Sequence, residues 1–381
     1  MRSAPVYLDY AATSPIDPRV LEAMLPYLTE IYGNPSSLHS FGQAARRGIM
    51  RAREQAAELI GASPDEIFFT SGGTESDNWA IRCAAQQRRA EGRGAHIVTT
   101  AIEHPAVLET CRRLEQQGFL VTYLPVDAAG RVDPDVVEAA LRDDTILVSV
   151  MTANNEVGTI QPTAEIGARA CAHGILFHTD AVQAAGHIPL DVHALNADLL
   201  SFSAHKFCGP KGVGCLFVRR GTVLAPLLYG GAQERDMRAG TEYTAGIVGC
   251  GRAAEIARAE MAAEENRLRA YTDLLQTRLL AADGIVFHGD RTACLPGILH
   301  FGIPGMEQDT LLIRLDLAGF AVSAGSACSA GAAKPSHVLS AMGLSEEEAR
   351  SCLRVSIGRY TACSDVESFA ETVLEIASQR H

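Results

Sequence analysis

Positive charge is in short supply in this chain: 33 lysines and arginines stand against 45 aspartates and glutamates, a formal charge of −12. Nucleic-acid binding needs clustered positive charge, so no direct nucleic-acid footprint is expected. No apolar run approaches the roughly 18 residues needed to cross a bilayer, so no membrane span is expected. The start, Met1-Arg2-Ser3-Ala4-Pro5-Val6-Tyr7-Leu8-Asp9, lacks the apolar core of a secretory signal. The ten cysteines include no Cys-x-x-Cys pair and no His/Cys group at zinc spacing, so no metal site is expected. These absences point to a reducing cytoplasm, with the thiols free and most of them packed as small core residues. Internal repeats and low-complexity tracts are also missing. With 47% hydrophobic and 20% charged residues over 381 positions, there is material for one large domain and a smaller one, with no sign of disorder.

What the sequence does contain is alternation. Short apolar, β-rich runs at 66–70, 96–100, 119–124, 146–151, 175–178, 199–202 and 213–218 are separated by segments such as 134–141 and 163–173, whose apolar residues fall three and four apart. This predicts an α/β fold, with a mostly parallel sheet covered by helices on both faces and ligands at the carboxyl ends of its strands. Around 246–276 the texture changes to a long charged helix, and a smaller α+β unit is expected beyond it. The boundaries read as 15–255 for the large unit, and 1–14 with 256–381 for the small one.

The chemically suggestive residues follow the strands. Asp180 closes one apolar run, and 26 positions later Lys206 follows the next, within Ser201-Phe202-Ser203-Ala204-His205-Lys206. A lysine that can hold an aldehyde as a Schiff base, with a carboxylate that can keep a pyridine nitrogen protonated, is what pyridoxal 5′-phosphate chemistry requires. Thr70-Ser71-Gly72-Gly73-Thr74 joins a strand to a helix and is either an ordinary N-cap turn or a phosphate cradle, with Ser203 and His205 as further donors. His104, in Glu103-His104-Pro105, is either structural or a flat ring able to stack on a pyridine and move protons. Asn155 and Gln183 are turn amides or partners of the cofactor's phenolate oxygen. Arg354, inside a β-like run, needs an anionic partner, either a structural acid or a substrate carboxylate. Cys328 differs from the other cysteines in its Gly/Ala/Ser-rich setting, Gly325-Ser326-Ala327-Cys328-Ser329-Ala330-Gly331, which suits a reactive thiol in a mobile, partly exposed loop.

Taken in order, Tyr7–Thr13, Gly33–His39, Thr70–Asn78, Glu103–Pro105, Asn154–Gly158, Asp180–Gln183, Ser203–Lys206, Arg238–Thr241, Gly325–Cys328 and Leu353–Arg359 resemble the cysteine desulfurases, in the branch of the nitrogen-fixation and iron–sulfur-cluster assembly enzymes. The resemblance runs almost end to end. It implies a pyridoxal-phosphate-dependent transferase of fold type I (aspartate-aminotransferase-like), a homodimer, and release of L-alanine from L-cysteine with the sulfur kept as a persulfide for a sulfur-accepting protein. It further implies that Lys206 is the Schiff-base lysine and Asp180 the ring partner. His104 stacks on the ring and serves proton transfer. Gly73, Thr74, Ser203 and His205 hold the phosphate, with Thr241 reaching in from the other subunit. Asn155 and Gln183 address the ring, Arg354 with Asn155 takes the substrate carboxylate, and Cys328 attacks the sulfur. Gly73 stands where the family often has alanine. Selenocysteine lyase and small-amino-acid aminotransferase remain alternatives on the same scaffold, as does a non-catalytic docking protein. A nucleophilic Cys328 weighs against the aminotransferase.

Overall fold

The computed structural model of the chain describes residues 5–325 and 335–379. After a short strand, β1 (Val6–Tyr7), the chain forms β2 (Ile67–Thr70), β3 (His96–Thr100), β4 (Leu120–Leu124), β5 (Thr145–Ser149), β6 (Leu176–Asp180), β7 (Leu199–Ser203) and β8 (Gly214–Val218). These seven later strands make one sheet in the order β2-β8-β7-β6-β5-β3-β4. Pairing is parallel from β4 through β3, β5 and β6 to β7. Helices Pro105–Glu115, Pro134–Ala139 and Thr163–Ala172 supply crossovers between parallel strands. β8 returns from β7 without a helical crossover of that kind, so it runs antiparallel to both β7 and β2. Every residue of β3 and of β5 to β8 is buried, as expected for strands covered on both faces, whereas the edge strand β4 is partly exposed.

A second sheet has β10 (Ile298–Gly302) between β9 (Val286–His288) and β12 (Cys352–Ser356), antiparallel to both. β11 (Phe320–Ala321) pairs in parallel with β1, and Leu8 packs in one cluster with Leu268, Leu275, Phe301, Phe320 and Phe369. The N-terminal strand therefore belongs to the core of the C-terminal elements. The helix Thr244–Leu279, 36 residues and about 54 Å long, serves both cores. Its first half places Ile247, Cys250, Ala254 and Ile256 against the large sheet, and its second half places Leu268, Leu275 and Leu279 in the other cluster. One helix with two buried stripes on different stretches shows no single amphipathic face, which is why it reads in sequence as charged rather than patterned.

Candidate active site

The carboxyl ends of β3, β5, β6 and β7 open into a cavity of about 720 Å³. Lys206 ends a single helical turn, Ala204–Lys206, immediately after β7. Its Nζ donates to the backbone oxygens of Ala11 (2.5 Å) and Ala12 (2.9 Å), and Gln183 Nε2 donates to the same Ala11 oxygen at 2.8 Å. The N-terminal segment thus forms one wall of the cavity. Asp180 is the last residue of β6; it is buried, and its Oδ1 accepts from Val182 N at 2.8 Å. Burial pushes its pKa up, while His104 and Lys206 pull it down. A second buried acid, Asp77, also lines the cavity, and its Oδ1 has no hydrogen-bond partner among the described residues. Burial and the nearby Asp180 charge hold Asp77 well above the usual carboxylate range. His178 Nε2 lies 3.6 Å from that oxygen, but burial drives this imidazole to about 3, so it brings no positive charge to Asp77 at neutral pH.

His104 caps the helix Pro105–Glu115: its Nδ1 accepts from Ala106 N at 3.1 Å. Nδ1 therefore carries the lone pair and Nε2 carries the proton. Burial lowers the ring's pKa, so the neutral form prevails, with Asp180 opposing and Lys206 and His337 assisting the shift. In this state His104 offers the cavity a donor, and it becomes a base only by giving up the Ala106 bond. Arg354, on β12, is almost fully buried. Its Nη2 pairs with Asp9 Oδ1 at 2.7 Å, and its Nη1 donates to the backbone oxygens of Asn155 (2.8 Å) and Gly325 (3.0 Å). Its Nε has no partner among the described residues. The structural acid considered for Arg354 is therefore Asp9, while the guanidinium also faces the cavity.

The phosphate-cradle candidates meet at a smaller hollow next to the main cavity, shared by Gly73, Thr74, Ser203 and His205. At Gly72, φ is 154° and ψ −179°, a conformation that favours glycine and turns the chain into the helix Gly73–Asn78. A Cβ at Gly73 would stand 2.6 Å from Val182 Cγ2, so this glycine and Val182 fit each other. His205 Nδ1 lies 3.1 Å from Thr13 Oγ1, and burial with the Lys206 and Lys211 charges lowers its pKa to about 4.

Lys206, Asp180, His104, Asn155, Gln183, Gly73, Thr74, Ser203, His205 and Arg354 thus line one cavity. Thr241 does not: it is exposed and lines a separate hollow with Arg238 and Ser71. Cys328 lies outside the described residues, between Gly325 and Pro335, both of which line the cavity. Asp77, Asp9 and His337 were not singled out from sequence. Asp77 lies inside the Thr70–Asn78 motif, yet nothing local marks that acid as buried, and the Asp9–Arg354 pair joins residues 345 apart.

Residues 6–369 match the class-V aminotransferase family. The chain belongs to that family and, within it, to the cysteine desulfurases. It is 50% identical to the cysteine desulfurase IscS of Methanosarcina thermophila over 98% of this chain and 92% of that protein. Among solved structures, a NifS-like protein superposes with a TM-score of 0.92 at 41% identity, covering 98% of this chain and 99% of the other. SspA in complex with cysteine superposes at 0.82 and 39% identity, covering 93% and 99%.

Proposed function

We propose that this protein is a cysteine desulfurase that converts L-cysteine to L-alanine and retains the sulfur on Cys328 as a persulfide for a sulfur-accepting protein. The observation that carries this reading is the meeting of Lys206, Asp180, His104 and Arg354 in one cavity, in a chain half identical to a named desulfurase. The residues fit pyridoxal 5′-phosphate. Asp180 is a buried acid at the cavity wall, suited to a protonated ring nitrogen, and the Gly72-Gly73-Thr74 turn with Ser203 and His205 suits a phosphate. Bound there, the cofactor supplies an electron sink for the substrate's Cα.

The chain's own residues do the rest. Lys206 would hold the cofactor and move a proton at Cα, and His104, with its proton on Nε2, would stack on the ring. Asn155 and Arg354 bind the substrate carboxylate, which competes with Asp9 for the guanidinium. The Cys328 thiolate takes the sulfur atom, so that L-cysteine and Cys328–SH become L-alanine and Cys328–S–SH. We assign the working form to a cytoplasmic homodimer of two-unit chains (15–255; 1–14 with 256–381) in which Thr241 serves the partner's phosphate. Large apolar side chains left exposed on one chain, such as Leu38 (88%) and Tyr229 (84%), support the dimer.

Incubation with L-cysteine followed by peptide mass spectrometry is expected to show one added sulfur on the peptide containing Cys328, removable by a thiol reductant. Cys328→Ser is expected to bind cofactor and substrate but release no alanine. Sulfur on Cys208 or Cys215 instead, with Cys328→Ser fully active, would overturn the assignment.

A further inference from the structure

Away from the cavity, the three-stranded sheet brings together a group that the desulfurase chemistry does not use. His300, on β10, is fully buried, and among the described residues both of its ring nitrogens lack a hydrogen-bond partner. A neutral imidazole always presents one N–H and one lone pair, and leaving both unmet in the interior is costly. Its register partner on β9 is His288, with ring centroids 5.5 Å apart at 63°. On the other side, β12 contributes Cys352, a buried thiol paired in register with Gly302. The glycine matters here. A Cβ at 302 would lie 3.3 Å from both Cys352 Sγ and His288 Nε2, so the missing side chain leaves room where these two atoms converge.

We propose that His288, His300 and Cys352 form a binding site for a borderline-soft divalent cation, zinc foremost. One ligand atom from each residue lies within 4.8 Å of the others. Tetrahedral zinc, with bonds of about 2.0–2.1 Å to nitrogen and 2.3 Å to sulfur, holds its ligands roughly 3.3–3.8 Å apart, so side-chain rotations of about 1 Å close the set. Two imidazoles and a thiolate suit zinc far better than magnesium or calcium, which prefer oxygen. Binding releases the thiol proton, which now faces Glu348 O at 3.1 Å, and gives His300 the partner it lacks. Three protein ligands leave a fourth position for water. A hollow of about 240 Å³ is bordered by His288 and His300, though not by Cys352. The ion would tie β9, β10 and β12 together, next to Arg354, the register partner of His300.

The test uses the full-length holoenzyme, loaded with Zn²⁺ and exchanged into metal-free buffer. One retained zinc per chain by elemental mass spectrometry, with a raised Tm, is expected. His300→Ser and Cys352→Ser are expected to weaken binding by more than about 100-fold, the upper end of what loss of a supporting residue alone costs. His288→Ala, at a half-exposed position, tests the same site should the buried substitutions disturb folding. Cys294→Ser and Cys328→Ser are expected to keep the ion. No retained zinc, zinc that survives His288→Ala and Cys352→Ser, or zinc lost in Cys328→Ser overturns the proposal.

Discussion

Asp180 and Asp77 interact on the cavity floor, and burial disfavours charge on both. Lys206 favours the charge on Asp180, whereas burial and the Asp180 charge both oppose charge on Asp77, so Asp77 is the acid held further toward its protonated form. Asp180→Asn is therefore expected to lower kcat by at least about 100-fold, the scale of losing a positioned charge or proton-transfer group. Asp77→Asn, which copies a protonated acid, is expected to change kcat only a few-fold. Steady-state alanine release by the two variants checks the assignment, and equal losses would contradict it. The Gly73 contact makes a second prediction about a single side chain. Gly73→Ala forces its Cβ against Val182 and is expected to cost about 1–3 kcal/mol in denaturant unfolding. Val182→Ala in the same chain is expected to restore most of that, and a full loss persisting in the double variant would place the strain elsewhere.

Among the elements, those dictated by local pattern were legible in the sequence, and those dictated by distant partners were not. The seven apolar runs became the seven strands of the large sheet, because buried strands write themselves as continuous apolar segments. Lys206, Asp180 and His104 stood out because each follows such a run. β8's reversed direction, the Asp9–Arg354 pair and the His288, His300 and Cys352 group depend on which strands lie side by side, and no residue spacing encodes that. The same holds for the network joining helix Pro18–Thr29, helix Thr244–Leu279 and the segment after β12. Arg19 bonds Asp17 (Nη2–Oδ2, 2.7 Å) and Glu260 (Nη1–Oε1, 2.5 Å), and Arg359 bonds Glu260 and approaches Asp17 to 4.0 Å. These arginines hold Asp17 and Glu260 at about 2, below their ordinary values of 3.8 and 4.5. Depressed carboxylate pKa values give stability that is complete above about pH 4.5 and lost as the pH falls toward 2. Arg359→Ala is expected to destabilise the chain by on the order of 1 kcal/mol at pH 7, with the gap to wild type closing between pH 4.5 and 2. Tm measured against pH checks this, and a gap independent of pH would assign the loss to packing.

The apolar surface left uncovered bears on the molecule as a whole. Leu21, Leu25 and Leu28 lie on the outer side of the helix Pro18–Thr29, whose other side buries Val20 and Met24, and Tyr32, Leu38, Phe41, Tyr229 and Tyr243 add large exposed side chains. A single chain that exposes this much apolar area gains by burying it against a second copy. Tyr229 leads into the stretch that carries Arg238 and Thr241, and Thr241 stands apart from its own chain's cavity. If that stretch completes the partner's phosphate cradle, dimer formation and cofactor retention rise and fall together. Leu38→Asp with Tyr229→Asp is expected to shift the mass in light scattering from two chains toward one, because a carboxylate cannot enter an apolar interface without a partner. The same double variant is expected to lose cofactor faster on dialysis, while Thr241→Ala alone is expected to weaken cofactor retention without changing the mass. A double variant that remains dimeric would remove this surface from the interface. A Thr241→Ala protein that keeps its cofactor as tightly as wild type would leave the phosphate to Gly73, Thr74, Ser203 and His205 of the same chain.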